Sequence, residues 1–578
     1  MHFLTPLVFL FSAVPSVRSL DSYQPCPLLG PRFPLPTGLP TSKPLQAALM
    51  NLTAALDALS TGDSHDFTAT TNTTSFSVAL FSSDPLSNAS SPFFYQYHHT
   101  ASNSTAGPIG VREVNADSVY NVARITSVFT VYAFLVAAGD THWLDPITKH
   151  VPELAASEGS QPVESVKWED VRLIDLASNM AGIGRDATLD SLSNKSVPKA
   201  LASILPTKNQ QLISTFSKNH RDFLKLMAKR RPVNLPSSTP TYSNAAFQLL
   251  ALAVENINRK PFNTTFDQSF LQPLNMRSST LGAPNNTKNA VIPTNETVSG
   301  WADGRIDEST ALAANFMYST VTDLSKAGRA ILRSELLSQV STNRWLKPVS
   351  QTSNAADDIG APFSIYRATL TGKSTGALVP IYTQFGAQGL YSSYFGLAPD
   401  WGVGFAILSA DTAAPADLNA HADLISTYLL PALEKSAIQQ AFLNYAGTYN
   451  FGDSKLLITI DGLSGLSLTN WTSGSKDLRA AFAELYSIPS DTLDFRLYAT
   501  NLVDQTAQSS RKAFRAVLQD IAAPIDAGTP TCITWMDSLD KFVYNGVSLD
   551  EFVFELDEKG MAIGLDIPAL NMTLKKGN

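Results

Sequence analysis

The stretch Tyr120–Leu135, YNVARITSVFTVYAFL, decides how this chain folds. It reads as the opening of a helix, and the segments around it set the class. Upstream, PLQAALMNLTAALDAL (Pro44–Leu59) carries apolar residues at helical spacing. FSVALFSSD (Phe76–Asp84) and FFYQYHHT (Phe93–Thr100) read as strands separated by the turn-rich DPLSNASSP. A helix, two antiparallel strands and then the Tyr120 helix make an α+β beginning, not the strand–helix alternation of a parallel sheet.

Downstream, from Val151 to Glu335, helical signals dominate, as in VRLIDLASNM, AFQLLALAVENI and TVTDLSKAGRAILRSELL. Strands return with GALVPIYTQF, LYSSYFGLAP and GVGFAILSAD, the last two joined at Pro399-Asp400-Trp401-Gly402, a hairpin turn by composition. Strands at both ends with helices between predict one sheet assembled from distant segments. After the helix-rich connector DLNAHADLISTYLLPALEKSAIQQAFLNYA, short alternating strands such as GTYNF, KLLITID, FRLYAT and DEFVFELD predict a smaller, mainly β domain. The expected organisation is a segment 1–19, a Pro/Gly-rich tail over 20–45, an α+β domain over 46–435 and a β-rich domain over 436–578.

At 578 residues the chain calls for more than one domain, and its 44% hydrophobic content can fill a large core. A net charge of −8 without a basic run implies neither nucleic acid nor a membrane surface as partner. The N-terminus, MHFLTPLVFLFSAVPSVRS, has the apolar core and small-residue ending of a secretory signal peptide cleaved after Ser19. Sequons at Asn51, Asn72, Asn88, Asn103, Asn194, Asn263, Asn285, Asn295, Asn470 and Asn571 agree with a secreted glycoprotein. Cys26 and Cys532 are the only cysteines, and in an oxidising compartment they read as one disulfide between the tail and the C-terminal domain.

Several short motifs carry no chemistry. Gly372–Gly376, GKSTG, lies between strand signals and lacks the strand-to-helix elbow a nucleophilic serine needs. The eight histidines show no compact ligand spacing, and neither a metal nor a cofactor is expected. SxxK occurs at Ser196–Lys199, Ser473–Lys476, Ser509–Lys512 and Ser538–Lys541. The first contains Pro198 and the others fall in the β domain.

Three segments in fixed order carry a stronger signal: YNVARITSVFTVYAFLVAAGDTHWLDPITKHVPELA; then VRLIDLASNMAGIGRD with PTYSNAAFQLLALAVENI; and YTQFGAQGLYSSYFGLAPDWGVGFAIL. This pattern resembles the serine β-lactamase and penicillin-binding-protein family, in its class C and esterase-like branch, and the secreted fungal β-lactamase-like group that adds a C-terminal β domain. The resemblance implies a transpeptidase-like domain with helices on an antiparallel sheet. It also implies an acyl-enzyme mechanism using a helix-start serine, a lysine one turn on, a tyrosine and a KTG-like or HxG-like strand.

Carried over by position, the tyrosine element is intact as Tyr242-Ser243-Asn244, but Arg124 stands at the serine position and Ser127 at the lysine position. The strand motif reads Gln384-Phe385-Gly386, keeping only the glycine. A guanidinium is no nucleophile, so the family route is expected to be absent, as in a pseudoenzyme. One expectation is an anion-seeking pocket of Arg124, Ser127, Tyr242, Asn244 and Gln384 for a small anionic or carbonyl-rich ligand. Another is altered chemistry, with Ser127 as a displaced nucleophile and Tyr242 as its base, in a hydrolase or a cyclisation or isomerisation enzyme of fungal polyketide-type specialised metabolism. The plainest is an ion pair between Arg124 and Asp117 with no ligand.

Overall fold

A computed structural model describes residues 25–62, 73–84, 91–102, 110–157, 161–187, 198, 200, 203–204, 219–370, 378–505, 510–523 and 535–577. The chain divides into two compact units. One comprises Thr37–Ala368 and Val379–Ala432, the other the residues up to Pro36, Thr369–Leu378 and Leu433–Asn578.

The first unit is built on an eight-stranded sheet. Its strands are β1 (Thr74–Ser82), β2 (Tyr95–His99), β6 (Ser350–Gln351), β7 (Asp357–Ile359), β8 (Ser364–Thr369), β9 (Leu378–Gln388), β10 (Tyr391–Ala398) and β11 (Val403–Asp411), in the order β2-β1-β11-β10-β9-β8-β7-β6. β1, from the start of the unit, pairs antiparallel with β11 from its end, Thr74 opposite Asp411 and Ser82 opposite Val403. The predicted sheet from distant segments is therefore present. The predicted hairpin closes β10 to β11, with Gly402 at a φ of 63°.

A second, three-stranded sheet joins β3 (Tyr120–Asn121), β5 (Met317–Ser319) and β4 (Thr280–Leu281). Helix α1 (Lys43–Thr61) begins at Ser42, whose hydroxyl accepts from Leu45 N–H, and ends at Gly62 in the left-handed region. Helix α2 (Thr126–Ala138) is apolar nearly all round and buried from Thr126 to Leu135, as a helix without a polar face must be. Phe129 stacks on Phe270 at 5.0 Å and meets Phe395 of β10 edge-on at 5.6 Å. Helix α3 (Ile147–His150) follows, then α4 (Asn244–Asn258), which packs against α2, and α5 (Val321–Leu332), which covers β1 and β11. Close passage of α5 needs Gly328, where a Cβ would come within 2.2 Å of the Phe81 ring.

Helix α6 (Asn419–Tyr445) carries the chain into the second unit; the connector read as helix-rich is one helix with Pro431 inside it. Strands β12 (Gly447–Phe451), β13 (Ser454–Thr459), β14 (Leu466–Ser473), β16 (Leu493–Gln505), β17 (Ser510–Asp520), β20 (Glu551–Leu556), β21 (Ala562–Ile567) and β22 (Met572–Lys576) each pair antiparallel with the next, and β22 returns to β12. The ring closes as an up-and-down barrel. β15 (Lys476–Asp477) extends β14 as a short flap, and β18 (Val543–Tyr544) pairs with β19 (Val547–Ser548) outside the ring. An eight-stranded barrel has room for little more than its own side chains. Tyr449, Trp471, Phe495, Phe514, Phe552 and Phe554, all buried, fill this one, with Phe514 and Phe554 4.9 Å apart.

Of the Pro/Gly-rich stretch, the described residues up to Pro36 belong to this second unit and those from Thr37 to the first. Arg32 ion-pairs with Glu434 at 2.7 Å and donates to Ser464 Oγ at 2.7 Å, and Cys26 N–H donates to Gln519 Oε1 at 3.0 Å. Cys532 lies outside the described residues, as do Asn72, Asn88, Asn103, Asn194, Ser196, Lys199, Ser509 and the signal-peptide segment. All of GKSTG does too. Of the sequons within them, Asn51, Asn263, Asn285, Asn295, Asn470 and Asn571 are all exposed. No described helix is long and apolar enough to cross a membrane.

Candidate functional site

The backbone at the start of α2 is held in an unusual turn. Ala123, fully buried, has a φ of 47°, a conformation that costs a residue with a side chain of order 1 kcal/mol or more. Its N–H is taken by Asn121 Oδ1 at 2.7 Å and its carbonyl accepts from Thr126 Oγ1 at 2.6 Å, so both sides of the strained residue are pinned. Thr126 Oγ1 also accepts from Met317 N–H at 3.0 Å, fastening the turn to β5.

The turn presents Arg124 and buries Ser127. The guanidinium of Arg124 lies 4.2 Å from the Tyr242 ring centroid, a cation–π contact, and Arg185 approaches the same ring at 5.2 Å. Arg124 makes no ion pair and its side chain no hydrogen bond among the described residues. Asp117, its expected partner, is exposed and accepts no bond from it. The ion-pair expectation fails because the side chain turns onto Tyr242, away from the loop that holds Asp117. Ser127 is fully buried, and its hydroxyl donates to the Arg124 carbonyl at 2.7 Å.

Tyr242 and Asn244 flank the N-cap of α4. Ser243 caps it, accepting from Ala246 N–H and donating to the Gly184 carbonyl at 2.8 Å. Tyr242 Oη donates to Asn244 Oδ1 at 2.5 Å, Asn315 Nδ2 donates to the same oxygen at 2.8 Å, and Asn244 Nδ2 donates to Asp186 Oδ1 at 2.6 Å. Burial pushes the Tyr242 phenol well above its ordinary pKa, beyond what the neighbouring Arg124 and Arg185 charges pull back. Its proton is therefore held, and pointed at the asparagine.

Gln384 and Gly386 lie on one face of β9 by the period of two. A Cβ on Gly386 would sit 2.6 Å from Arg124 N, 2.8 Å from Ser393 Oγ and 3.0 Å from Ala123 Cβ, so this strand runs directly against the strained turn. Ser393 Oγ, next door on β10, donates to the Val122 carbonyl at 2.6 Å. The Gln384 carboxamide has no hydrogen-bond partner among the described residues.

A sequence profile of the family described as Beta-lactamase matches residues 95–429. The chain belongs to the β-lactamase family. A second profile, "Beta-lactamase-like-like, C-terminal domain", matches residues 437–578. The chain is similar to a "Beta-lactamase-like protein" of Arthroderma benhamiae, 26% identical with 97% of this chain and 98% of the relative covered. It is also similar to "Probable hydrolase clz13" of Cochliobolus lunatus, 24% identical over 83% of this chain and 82% of that one. Among solved structures, a class C β-lactamase covers 67% of this chain and 97% of its own at 12% identity, with a TM-score of 0.47.

Within this β-lactamase fold, the turn, the α4 N-cap and β9 bring Arg124, Tyr242, Asn244 and Gly386 to one place, while Ser127 is buried beneath the turn and Gln384 lies two residues along β9 from Gly386. Asp186, Arg185 and Asn315 join them, none of them singled out from sequence. Asp186 and Arg185 close the quoted segment VRLIDLASNMAGIGRD, so adjacency to the motif was the available signal. Of the other SxxK strings, Ser473 and Lys476 sit on the β14–β15 flap, and Ser538 ends a four-residue helix before Asp540, which has a φ of 56°. Neither puts its pair on one helix face. Replacing Gly386 with valine is expected to destabilise the protein by about 1–3 kcal/mol through overpacking against the Arg124 backbone. Denaturant unfolding of Gly386→Val checks this, and an unchanged midpoint refutes the close contact.

Proposed function

We propose that the pocket binds a small carboxylate or enolate-like ligand through Arg124, and that the chain does not form an acyl-enzyme by the family's route. The observation that carries this reading is the Arg124 guanidinium, seated on the Tyr242 ring with its N–H donors uncommitted among the described residues. A planar fork of donors favours planar anions, and such charge-assisted bonds are the stronger ones. The exposed Arg185, over the same ring, offers further donors beside it, and Gln384 lies two residues along β9 from the Gly386 that abuts the turn.

The same geometry argues against nucleophilic catalysis at this turn. Guanidinium stays protonated and cannot attack a carbonyl. Ser127 is sealed from substrate with its proton on a main-chain carbonyl, and Tyr242, its pKa raised, is a poor base that donates elsewhere. Names of the relatives keep a second reading alive: "Probable hydrolase clz13" and "Probable hydrolase M10" favour an enzyme of altered chemistry, such as a hydrolysis, cyclisation or isomerisation step on a polyketide-type intermediate. In either reading the chain is a secreted glycoprotein stapled by Cys26–Cys532. Support comes from the N-terminal apolar segment, the exposure of all six described sequons, and Cys26 held against Gln519.

The test uses 3-oxo-3-phenylpropanoate, a β-keto carboxylate, with the intact protein. Arg124→Ala is expected to weaken its binding about 10- to 100-fold, the worth of one or two hydrogen bonds to a charged group. Binding indifferent to Arg124 overturns the pocket assignment. A fluorophosphonate probe is expected to label no serine, and a Ser127 adduct overturns the loss of acyl chemistry.

A further inference from the structure

Beyond the β-strand wall, α2 ends at Gly139 and the chain turns through Asp140–His142 into α3, where three potential metal ligands converge. His142 Nδ1 is 2.7 Å and His150 Nε2 2.9 Å from the same oxygen, Asp145 Oδ2. Lys149 Nζ holds the other carboxylate oxygen, Oδ1, at 2.7 Å, which leaves Oδ2 facing the imidazole pair. The rings stand nearly perpendicular, 84° apart with centroids 5.4 Å from each other, so their nitrogens approach from different directions. All three ligand atoms lie within 4.8 Å of one another.

The backbone beneath them is fixed. Asp145 N–H donates to the His142 carbonyl at 3.0 Å, Leu173 N–H to the Asp145 carbonyl at 3.0 Å, and Asn256 Nδ2 to the His150 carbonyl at 2.7 Å. The His150 and Asp145 side chains are largely buried, at 9% and 17% exposure, while His142 is open at 30%. Asn256 lies near the C-terminal end of α4, about 18 Å along the helix from Asn244 at 1.5 Å per residue, so this cluster is separate from the Arg124 pocket.

We infer that His142, Asp145 and His150 form a binding site for a zinc-class divalent transition ion, with water completing the coordination on the open side of His142. Two imidazole nitrogens and one carboxylate oxygen are a borderline donor set that suits Zn²⁺ or Co²⁺. Mg²⁺ and Ca²⁺ want oxygen throughout. Bond lengths of about 2.0–2.2 Å around a tetrahedral ion place ligand atoms roughly 3.3–3.6 Å apart, so each imidazole nitrogen must draw back from Asp145 Oδ2 by about half an ångström. Each ligating nitrogen must be free of its proton: a doubly protonated ring releases one to solvent, a neutral ring carries its proton on the other nitrogen instead, and each histidine enters as the neutral ring. Sequence spacing conceals the set, since the three residues fall on two elements and a loop.

His220, Glu255 and Glu308 form a second cluster. There Glu255 Oε1 is occupied by Phe262 N–H at 2.6 Å, and His220 Nε2 is already within 2.5 Å of Glu308 and 3.1 Å of Thr310 Oγ1. It serves as the control.

The experiment titrates metal-stripped full-length protein with Zn²⁺ by calorimetry and follows Co²⁺ absorption in parallel. The expected result is one ion of either metal per chain. His142→Ala and Asp145→Asn should each weaken it by more than the about 10- to 100-fold that an outer-shell change costs, while His220→Ala leaves it unchanged. Zn²⁺ should also raise the thermal midpoint of the wild type but not of His142→Ala, since a ligand stabilises only the fold that binds it. Absence of binding to the wild type overturns the site. So does binding that follows His220 rather than His142.

Discussion

Replacing Arg496 with alanine is expected to destabilise the C-terminal barrel by about 3–5 kcal/mol, the usual cost of leaving a buried charge without its partner. Arg496, on β16, has only 4% of its side chain exposed. Its Nε donates to Asp494 Oδ2 at 2.6 Å and its Nη2 to Asp461 Oδ2 at 2.5 Å, while Nη1 reaches the Ser464 carbonyl at 3.1 Å. Burial alone pushes a guanidinium down, yet the two carboxylates together hold this one above its ordinary pKa. Asp461 is 40% exposed and can rehydrate, whereas Asp494, at 10%, is left buried and charged, so most of the cost lies there. Urea unfolding of Arg496→Ala measures it, with Arg496→Ala/Asp494→Leu expected to recover a large part. A loss under about 1 kcal/mol would place the pair in the solvent-screened class.

The contrast between this barrel and the site shows what sequence can carry. Strands such as β1, β10 and β11 were legible because turn residues bound each run and period-two or continuous apolar patterning fixes the type. Closure was not legible: short alternating strands predict a mainly β domain without saying which strand pairs with which, and the return of β22 to β12 depends on accumulated twist and stagger. Leu478–Leu485 was missed as a helix because eight residues between strands give too short a periodic signal.

At the site, local motifs put Arg124, Tyr242, Asn244 and Gln384 on recognisable elements, since the flanks of each are distinctive. The partners were a different matter. Ala123 at positive φ has no sequence mark, because the bonds from Asn121, Thr126 and the wall at Gly386 impose it. The cation–π seat of Arg124 likewise needed the fold to bring a distant tyrosine under it, and proximity in sequence pointed instead to Asp117.

His421 yields an expected pH dependence in the first unit. It sits near the start of α6, 3% exposed, with the Phe76 ring edge-on at 4.6 Å and neither ring nitrogen bonded to a described residue. Burial lowers its pKa from the ordinary 6.5 to about 4; the Asp417 charge opposes this and nearby His99 adds to it. The fold therefore holds the neutral ring. Because the unfolded chain takes up this proton at a higher pH than the folded one, the stability is fully present above pH 6.5. It erodes as the pH falls and is lost near pH 4. A difference of about 2.5 pKa units is worth roughly 3 kcal/mol. Denaturant unfolding of the wild type and of His421→Phe at several pH values between 7 and 4 isolates this histidine from the carboxylates, which titrate in both. The variant is expected to lose about 3 kcal/mol less across that window. Parallel stability curves would mean that the ring is solvated or paired, and that the apolar seat against Phe76 does not set its charge.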